Sequence, residues 1–333
     1  MLAALDPDRY EPVLIGITKR GRWLPAAASR ALLQTNGAPD EAPPADEPAA
    51  PGTALVARAE RLPAAAGALD GAVDVVFPVL HGPRGEDGTV QGLLELARVP
   101  YVGSGVLGSA LGMDKIAMKG AFQQAGLPVC RWLAVTRHQW RQDPGAVQER
   151  VAGELGFPCF VKPANLGSSV GISKVHGPEE LPRALDLAAG YDRRVIVEEA
   201  VDARELECSV LGNDEPRASV VGEIISHREF YDYAAKYTDG QSDLIIPADI
   251  PPALAEQARA LACCAFQAID AAGLARVDFF LERTSGRLLV NEINTIPGFT
   301  RWSMYPKLWE ASGLAYPALL DELIRLALER HGK

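Results

Sequence analysis

The sequence predicts an α/β protein of three α/β domains, the first of which holds an open parallel sheet. Three stretches support this prediction. A strand, a glycine-rich loop, a helix and a short strand follow one another early in the chain, a strand in the middle delivers a lysine into a glycine- and serine-rich hairpin, and two apolar strands near the C-terminus carry acids. Strands that alternate with helices are typical of α/β folds. The 333 residues are enough to bury several cores.

Composition excludes several classes of protein. Hydrophobic residues make up 48% of the chain, and no charged-then-apolar signal segment opens it. No run of about 18 apolar residues exists, so we expect a cytoplasmic protein with no membrane partner. The formal charge of −10 argues against a nucleic-acid partner. The five cysteines are odd in number and lack C-x-x-C spacing, which predicts neither a disulfide framework nor a zinc site.

The first domain is predicted over residues 1–103. Apolar runs at residues 12–18 and 73–80 predict strands, and the second leads into the loop H-G-P-R-G-E-D-G and a helix. Functional residues of such sheets lie in loops at the carboxyl ends of strands. His81 and Glu86 occupy such a loop, although a loop histidine alone is more often a structural hydrogen-bonding group. The proline- and alanine-rich residues 38–52 predict a surface loop.

The second domain, residues 104–200, is predicted to cover phosphates with a hairpin. A helix opens at Met113-Asp114-Lys115, and a later strand delivers Lys162 into the loop of residues 164–171. Backbone N–H groups and hydroxyls in such a loop can point at phosphate oxygens while the lysine adds charge. A glycine-serine hairpin by itself is usually only a turn. The strand at residues 194–198 ends in a segment whose backbone suits an adenine, although acids after a strand are most often solvated.

The third domain, residues 201–333, is predicted to contain a lid. Aromatic residues and a lysine in the polar loop that starts at Phe230 are too apolar to be left in water, so this loop is expected to fold over a ligand. The amphipathic segment at residues 252–273 predicts a helix that packs on the core.

A magnesium site is predicted from two strands of this third domain. Asp278 lies on one strand, and Glu292 and Asn294 lie two residues apart on the next. Because side chains alternate along a strand, the three share one sheet face. Oxygen ligands without Cys or His suit Mg²⁺, which keeps several waters and shares substrate phosphates. The alternative is that these are polar hairpin residues facing water, but acids within apolar strands are costly unless a cation compensates them.

The ordered motifs H-G-x-x-G-E-D-G, M-D-K, V-K-P-A-N-x-G-S-S-V-G-I, F-Y-D-Y-x-x-K-Y, R-V-D-F and N-E-I-N-T-x-P-G-F-T strongly resemble those of the D-alanine:D-alanine ligases. These are ATP-grasp enzymes of peptidoglycan precursor synthesis. The resemblance covers nearly everything from Asp6 to the C-terminus. Six motifs in order are highly specific, whereas any one of them would not be.

The resemblance implies a role for each matching residue. The ATP-binding residues would be Lys115, Lys162, Ser169, Glu198, Val201, Glu205, Phe230 and Lys236. The metal ligands, for two Mg²⁺ ions with Mn²⁺ able to substitute, would be Asp278, Glu292 and Asn294. The catalytic residues would be Ser168, Tyr237, Arg276 and Gly298. The amino-acid substrate would meet His81, Glu86, Ser303 and Met304.

The implied reaction explains these parts. Transfer of the γ-phosphoryl group of ATP to one D-alanine makes an acyl phosphate, and the amine of a second D-alanine then displaces phosphate. Phosphoryl transfer needs positioning and charge cancellation rather than a protein nucleophile. The lid would exclude water from the acyl phosphate. In the family, Tyr237 at the lid marks an amine acceptor, D-alanine, rather than D-lactate, and the usual assembly is a homodimer.

The chain departs from the family at its start. The family begins with a strand, a glycine-rich loop and a glutamate that orients the first D-alanine through Ser168 and Tyr237. Here Met1 falls inside the expected first helix. An upstream translation start is therefore our hypothesis, with weak activity or none expected of a chain that begins at Met1.

Three other functions stay open at this point. A D-alanine:D-lactate or D-alanine:D-serine ligase would differ in acceptor choice near Tyr237 and Met304. A non-catalytic nucleotide-binding module would bind ATP without turnover. Another ATP-grasp carboxylate-amine ligase would need a different amino-acid pocket, against which the H-G-x-x-G-E-D-G loop argues.

Overall fold

A computed structural model gives the fold of residues 1–17, 23–24, 29–30, 73–167, 169–226, 242–300 and 303–333. The predicted surface loop at residues 38–52 lies outside these described residues, and so do Ser168, Phe230, Lys236 and Tyr237. Among the described residues, no helix is both long enough and apolar enough to cross a membrane.

The helices include the three that the sequence predicted, which start near residues 89, 115 and 252. They are α1 (Thr89–Leu96), α2 (Val106–Met113), α3 (Lys115–Gln124), α4 (Arg137–Gln142), α5 (Pro144–Glu154), α6 (Leu181–Tyr191), α7 (Pro252–Ala268), α8 (Met304–Ala311) and α9 (Tyr316–Arg330). α7 ends earlier than the predicted residue 273. Asp270 and Gly273 adopt positive φ angles of 56° and 72°, and this turn leads the chain into the next strand.

The strands form two antiparallel sheets. The strands are β1 (Trp132–Thr136), β2 (Cys159–Pro163), β3 (Ser173–Val175), β4 (Arg194–Glu199), β5 (Ala203–Gly212), β6 (Arg217–Ser226), β7 (Ser242–Ile245), β8 (Gly273–Glu282) and β9 (Leu288–Asn294). The central sheet has four strands in the order β1-β4-β2-β3, and the C-terminal sheet has five in the order β7-β6-β5-β8-β9.

Each sheet buries one face in its own core. In the central sheet, Val161 and Val197 pack with Leu185 of α6. Because side chains alternate along strands, the opposite face of that sheet carries Lys162 and Glu198. The C-terminal sheet packs on α7, and α3 contributes Met118 and Phe122 to that same core. The face that carries polar residues in each sheet is therefore the one turned away from its core.

The predicted N-terminal sheet is seen only in part. Val76 makes a parallel bridge to Tyr101, and Ile17 makes an antiparallel bridge to Trp23, but residues 12–16 and 77–80 are not assigned as strand. The rest of the predicted first strand and most residues between it and Val73 lie outside the described part.

The N-terminal segment and the C-terminal helix share a core. Leu5 and Phe77 pack against the cluster that includes Leu323 of α9, and the ring of Phe77 meets that of Phe299 edge-on at 5.6 Å. The last turn of α9 adds a second contact, since the Arg330 guanidinium lies 4.4 Å from the ring centroid of Tyr101. These contacts fix the loop that follows residue 80 relative to the C-terminal sheet.

Candidate active site

A cavity of about 240 Å³ lies where the N-terminal loop, α3, the hairpin loop and the C-terminal sheet meet. The predicted residues that line it are His81, Glu86, Lys115, Arg276, Glu292, Asn294, Gly298, Ser303 and Met304. Residues predicted separately for the amino acid, the phosphates and the metal therefore share one space. His81 and Met304 are more than two hundred positions apart in the sequence, so only the fold brings them together.

The metal face is built by strand register. Asp278 of β8 lies opposite Glu292 of β9, and Arg276 lies opposite Asn294. Glu207 of β5 lies opposite Asp278 on the other side. Partners in register point to the same sheet face. Asp278, Glu292 and Asn294 therefore share one face, as the alternation predicted.

Arg276 holds the centre of this face. Its Nε and one terminal nitrogen donate to the two oxygens of Asp278 at 2.6 and 2.7 Å, and its Nε lies 3.1 Å from Oε2 of Glu207. Burial works to lower the pKa of Arg276, but the charges of Asp278 and Glu207 outweigh it and hold the pKa well above its usual value. The guanidinium thus stays charged and fixed between two carboxylates.

The donor set fits a hard divalent cation. Asp278, Glu292 and Asn294 offer only oxygen ligands on adjacent positions of one face, which is the chemistry that Mg²⁺ selects. Asn294 Oδ1 accepts a hydrogen bond from the Ile296 backbone N–H at 3.0 Å, which fixes its carboxamide. Within the described residues, no group of three Asp, Glu, His or Cys side chains is arranged to hold a metal. The predicted set is not such a group, because its third ligand is the carboxamide of Asn294.

The N-terminus of α3 fixes Lys115 beside the hairpin. The Asp114 side chain caps the helix by accepting from the backbone N–H groups of Ile116 and Ala117, at 3.1 and 2.9 Å. Its second oxygen accepts from Arg194 at 2.7 Å. The ammonium of Lys115 donates to the backbone carbonyl of Leu166 in the hairpin loop, so one predicted phosphate contact lies at the hairpin.

The hairpin approaches the N-terminal loop closely. A Cβ added to Gly167 would lie 3.7 Å from Oε1 of Glu86. Ser169 has a φ of 61°, in the left-handed region, as a tight loop requires. Ser168 between them is outside the described residues.

Glu86 is braced by its own loop. The backbone N–H of Gly82 donates to its Oε1 at 2.6 Å. Burial raises the pKa of the Glu86 carboxyl, and the charge of Glu292 adds to that rise, against the opposing effects of the Gly82 hydrogen bond and the nearby His81 and Lys115. A carboxyl with a raised pKa in a cavity is typical of a functional site.

A tight turn forms the floor of the cavity. A Cβ on Gly298 would lie 2.7 Å from Oγ of Ser303, so only glycine fits there without displacement. Oγ of Ser303 accepts from the Thr300 backbone N–H at 3.0 Å, and Met304 begins α8.

Four of the predicted nucleotide residues do not line this cavity: Lys162 for the phosphates, Glu198 and Val201 for the adenine, and Glu205 for the ribose. Lys162 and Glu198 form an ion pair with each other on the polar face of the central sheet. Val201 follows the end of β4, and Glu205 lies on β5. Neither Ser169 nor Asp278 lines the cavity, although Asp278 adjoins it through Arg276 and Glu292.

Two residues were missed by the sequence reasoning. Glu207 lines the cavity, and its position two residues after Glu205 on an alternating strand was a usable signal. Lys119 is buried against Glu198 at 2.8 Å. Its position four residues after Lys115 puts it on a nearby face of the same helix, but nothing in the sequence indicates that a lysine there is buried.

Comparisons with known proteins identify the family of the chain. A family model described as D-ala D-ala ligase N-terminus matches residues 1–104, and one described as D-ala D-ala ligase C-terminus matches residues 121–325. The D-alanine--D-alanine ligase of Geobacillus kaustophilus is 49% identical over 99% of this chain and 89% of its own length. That of a Thermoanaerobacter species is 52% identical over 99% of this chain and 90% of its own length.

Solved structures give the same likeness. The VanG D-Ala:D-Ser ligase from Enterococcus faecalis aligns with a TM-score of 0.81 and 33% identity, over 98% of this chain and 92% of that one. The D-alanine-D-alanine ligase from Coxiella burnetii aligns with a TM-score of 0.70 and 42% identity, over 78% of this chain and 69% of that one.

Proposed function

Because the chain belongs to the D-alanine:D-alanine ligase family, we propose that it joins two D-alanine molecules in this cavity, with ATP and a divalent metal. The product, D-alanyl-D-alanine, is a peptidoglycan precursor. The observation that supports this best is that Arg276, Glu292 and Asn294 line the same cavity as His81 and Glu86, so phosphoryl-transfer and amino-acid groups are within reach of one substrate.

The reaction has two steps. A carboxylate oxygen of the first D-alanine attacks the γ-phosphorus of ATP, the bond to ADP breaks, and an acyl phosphate forms. The amine nitrogen of the second D-alanine then attacks the acyl carbon, the amide bond forms, and phosphate leaves with the electron pair of the C–O bond. The amine gives up its proton in this second step.

The chain's own residues supply position and charge. Lys115, at the hairpin, binds phosphate oxygens, and Ser169 of that loop covers them. Lys162 also binds phosphate oxygens, Glu198 and Val201 bind the adenine, and Glu205 binds the ribose. Phe230 and Lys236 of the lid complete the nucleotide site. Arg276 and the backbone at Gly298 stabilise the negative charge that develops on the acyl oxygen, where preorganised donors have their largest effect.

The metal is held by Asp278, Glu292 and Asn294. We propose two Mg²⁺ ions, with Mn²⁺ able to replace them, and their chemistry when bound is to neutralise charge on the transferring phosphate. His81 and Glu86 receive one D-alanine, and Ser303 and Met304 receive the carboxylate region of the other. Ser168 and Tyr237 complete the orientation of the first D-alanine.

Product analysis tests the function. The protein is incubated with ATP, MgCl₂ and D-alanine, and D-alanyl-D-alanine, ADP and phosphate are measured over time. We expect the three to appear in equal amounts, with L-alanine as the control that yields none. Binding of ATP without D-alanine-dependent turnover would instead support a nucleotide-binding module and would refute the ligase.

The acceptor needs its own test because the VanG D-Ala:D-Ser ligase aligns over nearly the whole chain. We propose D-alanine as the acceptor, with Tyr237 as the support from the sequence. Equimolar D-alanine, D-serine and D-lactate are offered together, and the products are separated by mass. Preference for D-serine or D-lactate would overturn the assignment while leaving the ligase intact.

Several wider properties are also part of the proposal. We propose a cytoplasmic homodimer with neither a membrane nor a nucleic-acid partner, divided at residues 103/104 and 200/201. Light scattering measures the mass, and a monomer at micromolar concentration would contradict it.

A further inference from the structure

A buried cluster of charged side chains lies beside the cavity, on the helix and sheet that flank it. It consists of Lys119 on α3, Lys162 on β2 and Glu198 on β4, with the thiol of Cys130 against Lys119. We call these residues the Glu198 cluster. The neighbour of Lys119 in the chain, Met118, lines the cavity itself.

The two lysines hold different oxygens of the same carboxylate. The ammonium of Lys119 lies 2.8 Å from Oε1 of Glu198, and that of Lys162 pairs with Oε2. Lys119 also donates to Sγ of Cys130 at 3.2 Å. The carboxylate is thus held from both sides, once from the helix and once from its own sheet.

The two lysines differ in access to solvent. The side chain of Lys119 is 1% exposed and that of Glu198 is 3% exposed, whereas that of Lys162 is 12% exposed. Lys162 also lies 5.7 Å from the ring centroid of Phe160, a partner on the same sheet face. Of the two cations, Lys162 is therefore the one that solvent, and so a ligand, can reach.

A lone carboxylate at this depth would be costly. Removing one partner of a buried ion pair leaves an uncompensated charge. Burial works to raise the pKa of Glu198, but Lys119 and Lys162 outweigh it and lower the pKa. Burial likewise works to lower the pKa of Lys119, and Glu198 and Cys130 raise it instead. Glu198 and Lys119 therefore stay charged as an ion pair.

We propose that Lys119 is a positioning residue for nucleotide binding: it is the permanent counter-ion of Glu198, so that Lys162 can leave Glu198 for the phosphates of a bound nucleoside di- or triphosphate. This inference rests on the proposed function only in requiring a nucleotide in the cleft. Without Lys119, Glu198 has Lys162 as its remaining cation among these residues. Lys162 then stays with the carboxylate, and the phosphates lose a contact.

A double-mutant cycle tests this role. Calorimetry measures the dissociation constant of ADP with excess MgCl₂ for wild type, K119M, E198Q and K119M/E198Q. Loss of one charge-assisted contact predicts that K119M weakens ADP binding about ten- to a hundredfold. In the E198Q background the same K119M change is expected to alter ADP binding by less than about twofold, because no carboxylate retains Lys162.

Adenosine and a second ion pair serve as controls. Adenosine has no phosphate, so its binding, measured by competition with ADP, is expected to be the same in wild type and K119M. Arg204→Met breaks the pair of Arg204 with Glu223, 2.6 Å apart, on the core face of the C-terminal sheet. It lowers stability and leaves ADP binding unchanged, which separates lost stability from lost positioning.

Each outcome decides between the ideas. Equal effects of K119M in both backgrounds, no effect in either, or equal weakening of ADP and adenosine would overturn the positioning role. The stoichiometry of ADP binding in the calorimeter reports the folded fraction of each variant. If K119M alone folds poorly, K119M/E198Q avoids the problem because it removes both members of the buried pair. A wild-type protein that fails to bind ADP would refute the proposed function instead.

Discussion

The substitution Arg276→Lys removes the forked guanidinium group but keeps a positive charge at this position. Arg276 donates twice to Asp278, at 2.6 and 2.7 Å, and lies 3.1 Å from Glu207. The side chains of Asp278 and Glu207 are only 15% and 7% exposed, so solvent screens them little. A lysine keeps one positive charge there but cannot span both oxygens and also face the acyl oxygen.

The expected effect is large on the rate and moderate on stability. Loss of one preorganised oxyanion donor lowers kcat by about 10²–10³. The lysine retains the compensating charge, so we expect a loss of about 1–3 kcal/mol in the free energy of unfolding. Arg276→Met leaves two carboxylates without that cation, and breaking a buried pair in this way costs about 3–5 kcal/mol.

Two measurements check this prediction. ADP release is followed at saturating ATP, Mg²⁺ and D-alanine, and urea unfolding gives the free energy of unfolding for both variants. A well-folded Arg276→Lys enzyme whose kcat stays within about tenfold of wild type would refute the oxyanion role. A Met variant no less stable than the Lys variant would refute the reasoning about buried charge.

Three further predictions concern other parts of the site. Gly298→Ala puts a Cβ 2.7 Å from Oγ of Ser303 and displaces that hydroxyl from its hydrogen bonds, each worth about 1 kcal/mol, so the ligation rate falls. Gly153→Ala in α5, where no atom lies within 4 Å, is the matched control and stabilises by about 0.5–1 kcal/mol with the rate unchanged. Burial works to raise the pKa of Asp87, but hydrogen bonds from its loop lower it. Relative to Asp87→Asn, the wild type therefore has its full extra stability above the unfolded pKa of about 3.9 and loses it as pH falls through the lower folded pKa. Urea unfolding of both proteins at pH 7 and at low pH measures this difference. A difference in the free energy of unfolding that does not change with pH would contradict the prediction. Glu292→Gln removes a charged ligand, so the Mg²⁺ concentration for half-maximal rate rises, and an unchanged value would exclude Glu292 as a ligand.

The alternation of side chains along strands gave the most detailed prediction from the sequence. The alternation that put Asp278, Glu292 and Asn294 on one face needs only local geometry, and the register of β8 with β9 confirms it. The helix that starts at Lys115 was likewise readable, because Asp114 is a capping residue and Gly126 ends the turn with a φ of 74°. The roles of these residues stay predictions.

Other features depend on long-range packing. The burial of Lys119 requires α3 to lie against the polar face of the central sheet, which no local pattern encodes. The partnership of Glu207 with Arg276 likewise depends on which strands become neighbours. The N-terminal strands were predicted as longer than the single parallel bridge that the described residues show at Val76.

The shared core of the N-terminal segment and α9 has a consequence for how a substrate enters. Leu5 and Phe77 pack with Leu323, whereas the central sheet keeps a separate core with α5 and α6. The first and last parts of the chain therefore form one packed unit, and the central sheet with its hairpin forms a second. We expect ATP to arrive and ADP to depart by a movement of the central sheet and its hairpin relative to the other part.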